Sequence, residues 1–164
     1  MNTAYLLLGS NMGNKCRMLQ EASALVDRLA GKIFQYSSLY ESEPWGFESE
    51  EWFINQAIAI YTSLSPERLL QTTQAIERTL GRNRQPAVGS QQYAARPIDI
   101  DILFYNETII HTPALTIPHP LLHERLFGLR PLAEIAAALV HPELKKTIAT
   151  LLEECSDKGI VRKL

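Results

Sequence analysis

The hydrophobic pattern of the chain alternates between the two-residue period of strands and the 3.6-residue period of helices, and the order of these segments strongly constrains the fold. The order is strand, helix, strand, strand, helix, strand. The strands are expected at Thr3–Leu8, Ile33–Tyr40, Phe53–Thr62 and Ile98–Phe104, and the helices at Lys15–Leu29 and Pro66–Leu80. This order is typical of the split βαβ arrangement. The sequence therefore predicts an α+β fold, a ferredoxin-like antiparallel sheet with flanking helices.

Local signals predict where several elements end. Gly9-Ser10-Asn11 is expected to end the first strand in a turn, and Gly31 to be the C-cap of the first helix. Asn106-Glu107 is expected to turn the last strand into a second short one at Thr108–His111. From Pro120 onward the pattern is mostly helical, which predicts a C-terminal helical extension of one domain spanning residues 1–164.

The composition argues against several kinds of protein. Hydrophobic residues make up 46% of the 164 residues, charged residues make up 21%, and the net charge is -2. A nucleic-acid-binding protein usually has a basic excess, and a membrane-spanning helix needs about 20 apolar residues, so neither partner is expected. Cys16 and Cys155 are too few for a disulfide framework or a four-cysteine zinc site, and we expect both thiols to be buried or half-buried. A cytoplasmic protein without a signal peptide is the simplest interpretation.

Asp99 and Asp101 alternate with isoleucines at positions 98, 100 and 102. On a strand the isoleucines would face the core and the two carboxylates would face the other way, roughly 6.6 Å apart. Carboxylates so placed repel each other, which raises a pKa or requires a cation between them. Magnesium ions completed by ATP oxygens fit such a pair, although a solvated strand face with two acids has the same pattern.

Three arginines, Arg82, Arg84 and Arg96, precede this pair with no acidic residue between Arg82 and Ile98. They lie in or next to Arg82–Ala95, which together with Ser42–Trp52 forms the two long segments without regular periodicity. Guanidinium groups bind phosphate oxygens in pairs, so the arginines and carboxylates together suit a polyphosphate with a metal. A basic loop that pairs with the glutamates of the other long segment is the alternative.

Aromatic residues cluster around the first long segment, at Trp45, Phe47, Trp52 and Phe53. Asn55 follows Phe53 by two residues, so the two side chains share a strand face. An aromatic ring beside a carboxamide can stack on a flat heterocycle and hydrogen-bond to its edge. A core aromatic next to a surface amide would give the same spacing.

The histidines indicate a function less clearly than the carboxylates and arginines do. His119 lies between two prolines, and His123 and Arg125 follow it. The glutamate and the third ligand of a His-Glu-x-x-His zinc site are missing, so contact of His119 with phosphate is the better interpretation. His111 and His141 are expected at the surface. The chain also has no Gly-x-x-x-x-Gly-Lys-Ser/Thr phosphate loop and no kinase Gly-rich loop.

Taken together, these segments resemble the hydroxymethyldihydropterin pyrophosphokinase family over essentially the whole chain. The similarity lies in the order and spacing of several short motifs, each of which is weak alone. They are Leu8-Gly9-Ser10-Asn11, Tyr40-Glu41-Ser42-Glu43-Pro44-Trp45-Gly46, Phe53-Ile54-Asn55, Gln74 with Glu77, Gly81-Arg82-Asn83-Arg84, Arg96-Pro97-Ile98-Asp99-Ile100-Asp101-Ile102-Leu103, Pro118-His119-Pro120, Arg125 to Phe127, and Pro131-Leu132-Ala133-Glu134-Ile135-Ala136.

The resemblance implies an enzyme that transfers the diphosphate of ATP to a reduced pterin with two magnesium ions. It implies that Asp99 and Asp101 are metal ligands and that Arg82 and Arg96 assist the transfer. The implied ATP-binding residues are Gln74, Glu77, Arg84, Tyr93, Ile102, Thr116, His119 and Arg125. The implied pterin-binding residues are Ser42, Glu43, Trp45, Phe53, Asn55 and Phe127, with the rings of Phe53 and Phe127 on opposite faces of the pterin.

The sequence departs from the family pattern in the second long segment. The family often has Arg-Trp-Gly-Pro-Arg before the carboxylate strand, whereas this chain has Gln92-Tyr93-Ala94-Ala95-Arg96, with about four extra residues, which loops tolerate. One arginine is thus missing, and Tyr93 stands where a tryptophan would cover the nucleotide. Ala114 lacks a basic side chain found in some relatives, and Pro120 replaces a tyrosine.

Two other classes of protein have related patterns. Nucleotidyltransferases, which attack the α-phosphorus, also combine a Gly-Ser turn with Asp-x-Asp, but in them the two motifs lie close in sequence. In this chain Gly9-Ser10 and Asp99 are far apart. A ferredoxin-like RNA-binding module would need paired aromatics on its central strands and a basic face, and the isoelectric point near 6.1 argues against it.

Overall fold

The computed structural model describes residues 1–45, 50–81 and 97–164. Within these residues the main sheet contains β1 (Asn2–Ser10), β2 (Lys32–Tyr36), β3 (Tyr40–Ser42), β4 (Phe53–Thr62), β5 (Asp99–Tyr105) and β8 (Val161–Lys163). A separate two-stranded sheet is formed by β6 (Ile110–His111) and β7 (Thr116–Ile117). The helices are α1 (Lys15–Leu29), α2 (Pro66–Thr79), α3 (Leu126–Ala136) and α4 (Ile148–Glu154).

The main sheet is antiparallel, with the order β5-β1-β4-β3-β8, and β2 pairs with β4 next to β3. The four strands of the split βαβ unit, β1, β2, β4 and β5, lie in the order β5-β1-β4-β2. The strands that come before and after α1 in sequence, β1 and β2, are therefore separated by β4. The predicted α+β, ferredoxin-like sheet is therefore confirmed.

Helices cover both faces of the sheet. The core between α1, α2 and one face includes Leu19, Val26, Leu69 and Ile76, and the core on the other face includes Leu129 and Leu132 of α3 and Ile148 and Leu151 of α4. On the first face α1 packs against β1, β2 and β4, and α2 packs against β5. On the second face α3 packs against β3, β4 and β8.

The predicted turn at Gly9-Ser10-Asn11 is wrong, because Gly9 and Ser10 continue β1 and pair with Asn55 and Ile54. The predicted C-cap at Gly31 is off by one residue, because Ala30 is the C-cap of α1, and the Gly31 N–H donates to the Val26 carbonyl at 3.1 Å. Glycine is needed at position 31 for a different reason: a β-carbon there would lie 2.3 Å from the carbonyl oxygen of Tyr61.

The predicted strand Ile33–Tyr40 is divided into β2 and β3 around Ser37. The Ser37 hydroxyl accepts a hydrogen bond from the backbone N–H of Ala57 at 2.9 Å, so a side chain replaces the backbone carbonyl in the ladder. The predicted second strand at Thr108–His111 is shorter and pairs with β7 instead of folding back on β5. The backbone N–H of His119 donates to the Leu103 carbonyl at 3.1 Å, so another segment reaches β5 there.

The C-terminal extension contains α3 and α4 as predicted, but it ends in β8, a strand that the helical pattern did not predict. β8 has three residues and pairs with β3. Two expectations about single residues are wrong as well: Cys16 is exposed, and His141 is only 4% exposed. Among the described residues, no helix has both the length and the apolar character needed to cross a membrane.

Candidate active site

The two predicted metal ligands lie half-buried on β5. Ile98, Ile100 and Ile102, between and beside them, are at most 5% exposed and belong to the core under α1 and α2. The predicted alternation is therefore present, since Asp99 and Asp101 lie on the opposite face. Two oxygen-bearing side chains thus share one partly accessible face of the sheet.

A row of paired residues across three strands connects Asp99 with Asn55, the residue predicted to hydrogen-bond to the edge of the pterin. Gly9 of β1 pairs with Asp99 on one side and with Asn55 on the other. Two strand spacings separate Asn55 from Asp99, so their backbones are about 10 Å apart. Gly9 contributes no side chain between them, and a β-carbon there would lie 2.7 Å from Asn55 Oδ1. The absence of a side chain at Gly9 therefore makes room for the Asn55 carboxamide, which lies over it.

Asn55 is held in one orientation. Its side chain is 2% exposed, and its Nδ2 donates a 2.8 Å hydrogen bond to Ser42 Oγ across the β3–β4 pair. Phe53 is two residues earlier on the same face, and its Cδ1 lies 3.8 Å from the position of a Gly9 β-carbon. The structure therefore brings together the ring, amide and hydroxyl that the sequence predicts at the pterin side.

Trp45 and the residues at the start of α3 form a cluster of aromatic rings and a guanidinium group. The rings of Trp45 and Phe127 have centroids 6.4 Å apart, and the Arg125 guanidinium carbon lies 4.7 Å from the Trp45 centroid and 5.5 Å from that of Phe127. A cleft of about 180 Å³ is lined by Ser42, Glu43, Trp45 and Phe127 together with residues of the C-terminal segment. Four of the six predicted pterin-binding residues thus share one cleft.

His119 lies next to the carboxylates, with its Nε2 4.0 Å from Asp101 Oδ2. Burial is the main cause that lowers its pKa to about 4; the Arg125 charge also lowers it, while Asp99 opposes the shift. The ring is therefore neutral near pH 7. Its Nδ1 accepts from the backbone N–H of Leu121 at 3.3 Å, so we assign the proton to Nε2, on the side of Asp101.

Of the predicted ATP-binding residues that the structure describes, four lie on β5 or on α2 and β7, which pack against it: Gln74, Glu77, Ile102 and Thr116. Glu77 of α2 is fully buried, and its Oε2 accepts the Ile100 backbone N–H at 2.8 Å. Gln74, one helical turn earlier, is half-buried, Ile102 is buried, and Thr116 is half-buried in β7. The N–H and C=O groups of an edge strand are available to a ligand wherever no neighbour takes them.

Several predicted site residues lie outside the described residues. Arg82, Arg84, Tyr93 and Arg96 belong to residues 82–96, and Phe47 belongs to residues 46–49. Their expected roles in phosphate contact and transfer stay predictions.

Two residues of the site were not predicted from the sequence. Gly9 was interpreted as part of a turn, and its role in making room for the Asn55 carboxamide depends on pairing between strands that are far apart in sequence. Asp157 is the second, and it contacts Leu126 at the start of α3. The Leu8-Gly9-Ser10-Asn11 motif did not show this role of Gly9, and no local pattern identifies Asp157, because the neighbours of both residues come from other parts of the chain.

This combination of fold and site defines a class of protein. Paired carboxylates on a ferredoxin-like sheet, next to a cleft lined by aromatic rings and an oriented carboxamide, suit an enzyme that binds a metal-bound polyphosphate beside a flat heterocycle.

The chain belongs to the 7,8-dihydro-6-hydroxymethylpterin-pyrophosphokinase (HPPK) family, whose sequence profile matches residues 5–137. It is 44% identical over 135 residues to the 2-amino-4-hydroxy-6-hydroxymethyldihydropteridine pyrophosphokinase of Bacillus subtilis, a match that covers 82% of this chain and 78% of that protein. It is 42% identical to the Porphyromonas gingivalis protein of the same name, over 87% of this chain and 96% of that protein.

The chain is also similar to part of a larger protein. It is 40% identical to the folic acid synthesis protein fol1 of Pneumocystis carinii over 95% of this chain, but the match covers only 20% of that protein. A crystal structure of Plasmodium falciparum HPPK-DHPS superposes with a TM-score of 0.73 at 20% identity, over 94% of this chain and 43% of that chain. The structural match supports the fold alone.

Proposed function

We propose that the row Asn55–Gly9–Asp99 positions a reduced pterin against a magnesium-bound ATP. The chain is a pyrophosphokinase, which transfers the diphosphate of ATP to hydroxymethyldihydropterin in folate biosynthesis. The observation that carries the proposal is the pairing of Gly9 with both Asn55 and Asp99. It places the backbones of Asn55 and Asp99 about 10 Å apart in one row of the sheet, which suits a heterocycle at one end and phosphates at the other.

The carboxylates fit magnesium. Among the described residues, no group of three or more histidines, cysteines or acids is placed to hold a metal by itself. Magnesium usually takes one or two carboxylates and completes its octahedron with phosphate oxygens and water, so Asp99 and Asp101 match what it needs when ATP is present. We propose that two ions bind with ATP at these side chains. When bound, magnesium neutralises phosphate charge and orients the phosphates for in-line attack.

Pterin binding is assigned to the cleft and to the residues next to it, Phe53 and Asn55. Phe53 and Phe127 are proposed to stack on the two faces of the ring system, and Asn55, which Ser42 orients, to hydrogen-bond to its edge. Glu43 and Trp45 line the cleft. Stacking fixes the plane of the pterin and the amide fixes its rotation, so the hydroxymethyl group can be directed towards Asp99.

The nucleotide is assigned to the outer edge of β5 and to residues of the range 82–96, which precedes it in sequence. Edge-strand backbone groups near Ile102 and Thr116 can read a base, while neutral His119 and cationic Arg125 suit contacts with phosphate. The other ATP contacts are assigned to Gln74, Glu77, Arg84 and Tyr93.

The reaction needs no covalent bond between the protein and the transferred group. The hydroxymethyl oxygen attacks the β-phosphorus, the bond from that phosphorus to the oxygen bridging the α- and β-phosphates breaks, AMP leaves, and the hydroxyl proton is released. Positioning and charge neutralisation supply most of the catalysis in such transfers. We assign Arg82 and Arg96 to the charge that develops on the transferring diphosphate and on AMP.

The identity of the nucleotide product tests the proposal. With ATP, magnesium and 6-hydroxymethyl-7,8-dihydropterin, the chain is expected to form AMP and the pterin diphosphate in equal amounts. Pyrophosphate as the product would show attack on the α-phosphorus, and ADP would show attack on the γ-phosphorus. Either outcome would refute the proposed reaction.

A further inference from the structure

The C-terminal segment, Asp157–Lys163, contacts the proposed pterin site although it lies beyond residues 5–137, which the family profile matches. Its strand β8 pairs with β3, so that Val161 lies opposite Ser42. In the same strand the Arg162 guanidinium lies 5.1 Å from the Trp52 ring. The segment therefore extends the sheet at the edge where the pterin-binding residues lie.

Asp157 joins this segment to the start of α3. The N-cap residue of α3, Arg125, makes no side-chain capping hydrogen bond. Instead, Asp157 Oδ2 accepts the backbone N–H of Leu126 at 3.0 Å, and Oδ1 accepts the N–H of Gly159 at 2.8 Å. A carboxylate at a helix N-terminus satisfies an unpaired donor and interacts favourably with the helix dipole. The cap of α3 thus comes from a residue that follows the helix in sequence.

A second set of contacts joins the segment to the end of β3. The backbone N–H of Ile160 donates to Glu43 Oε1 at 2.9 Å, and the N–H of Glu43 donates to the Ile160 carbonyl at 3.2 Å. A β-carbon at Gly159 would lie 3.0 Å from Asp157 Oδ1 and 3.0 Å from Glu43 Oε1. The two carboxylates therefore converge on one glycine, and Asp157, Gly159 and Ile160 line the same cleft as Trp45 and Phe127.

We propose that Asp157 is a positioning residue for pterin binding, an inference that rests on the proposed function. It holds the N–H of Leu126, whose neighbours in sequence are Arg125 and Phe127. Fixing this peptide fixes where the Phe127 ring enters the cleft and where the Arg125 guanidinium meets Trp45. Asp157 acts through these residues and is not assigned any contact with the reacting atoms.

Calorimetric titration of Asp157→Ala tests the assignment. The ligand is 6-hydroxymethyl-7,8-dihydropterin, added to protein that holds magnesium and an ATP analogue with a non-cleavable α,β-methylene bridge. Loss of the cap is expected to weaken pterin binding about fivefold, the change that corresponds to about 1 kcal/mol. Affinity for the ATP analogue is expected to fall less than pterin affinity, because Arg125 is the only proposed ATP contact next to Leu126. Asp157→Asn keeps an oxygen acceptor and should recover most of the pterin affinity.

Asp27→Ala is the matched control. Asp27 Oδ1 accepts the backbone N–H of Ile33 at 2.9 Å, the same kind of contact in another part of the chain. A general loss of stability would affect both variants, whereas a positioning role predicts weaker pterin binding only in Asp157→Ala. If Asp157→Ala does not fold, Gly159→Ala replaces it, because its new methyl group would press on the carboxylate of Asp157. The methyl group would also press on Glu43, so Glu43→Ala is measured beside it and must lose less pterin affinity.

The outcomes separate this inference from the proposed function. Wild-type chain that forms no AMP would overturn the proposed function and this inference with it. Normal wild-type activity with unchanged pterin affinity in Asp157→Ala, or in Gly159→Ala where the first variant does not fold, would overturn only the role of Asp157. Equal losses of pterin and ATP-analogue affinity would do the same.

Discussion

Asn55 Oδ1 lies 2.7 Å from the position that a β-carbon on Gly9 would occupy. No real side chain tolerates this distance, so Gly9→Ala must displace the carboxamide or the strand, and the Asn55–Ser42 hydrogen bond would weaken. A misplaced hydrogen-bonding group costs about 1–3 kcal/mol, which predicts a loss of pterin affinity of about five- to 100-fold. ATP affinity should change little, and calorimetry with each ligand measures both.

A double-mutant cycle provides the control for Gly9→Ala. If alanine at position 9 acts through the carboxamide, then Gly9→Ala combined with Asn55→Ala should bind the pterin no worse than Asn55→Ala alone. Additive losses would show that Gly9 affects the site by another route.

Asp99→Asn and Asp101→Asn are each expected to abolish most activity. Either change leaves a magnesium ion without one charged ligand, and losing about 4 kcal/mol of transition-state stabilisation lowers turnover by roughly three orders of magnitude. Folding should be retained, because both side chains are only half-buried and neutralising one removes like-charge repulsion. A magnesium titration of turnover beside a thermal melting curve checks both expectations.

Glu107→Gln is the charge-matched control for these variants, because Glu107 is exposed and follows the same strand. It should keep wild-type turnover at every magnesium concentration. Near-normal activity in a folded Asp99→Asn protein would refute the metal assignment.

Phe127→Ala is expected to weaken pterin binding much more than ATP binding. Stacking contributes about 0.5–1.5 kcal/mol beyond burial, so removing the ring should lower pterin affinity about tenfold when lost burial is included. Phe127→Leu keeps most of the apolar volume and should lose only the stacking part. Equal losses of pterin and ATP affinity in Phe127→Ala would contradict the proposed position of the ring.

Elements with strong local signals were predictable from the sequence. The bounds of α1 and β4 match the predicted ranges, and α2 begins at Pro66 after its Ser65 cap as expected. The face of β5 that carries the carboxylates followed from strict alternation with isoleucine. In these cases the period of the sequence itself fixes which side chains are buried.

Features that depend on distant partners were not predictable. β8 has three residues, too few for a periodic signal, and it exists as a strand because β3 supplies its hydrogen bonds. Gly9 is needed because of Asn55, which lies on another strand. Burial of His141 likewise depends on Phe104, whose ring it meets edge-on at a centroid distance of 5.6 Å. The sequence motifs indicated candidate residues without these neighbours, so they did not show what orients the candidate side chains.

His141 should make the stability of the protein depend on pH. Its Nδ1 accepts the backbone N–H groups of Glu143 at 3.2 Å and Leu144 at 3.0 Å, an arrangement that requires an unprotonated nitrogen. Burial is the main cause that lowers the pKa of His141 below its ordinary value; the nearby His123 charge also lowers it, and Glu143 opposes the shift. The unfolded chain therefore binds this proton more readily than the folded one.

The sign of the effect follows from that difference. The stabilisation is fully present above the unfolded pKa of about 6.5 and is lost as the pH falls below it, by at most about 1.4 kcal/mol per pH unit for one proton. His141→Asn places an amide oxygen near the position of Nδ1, so it keeps the acceptor and removes the titration. Urea unfolding of metal-free protein between pH 7.5 and 5 should show a shallower pH dependence in this variant, with the remaining slope coming partly from His119, whose pKa is also lowered. An identical slope in both proteins would show that His141 takes up no proton on unfolding in this range.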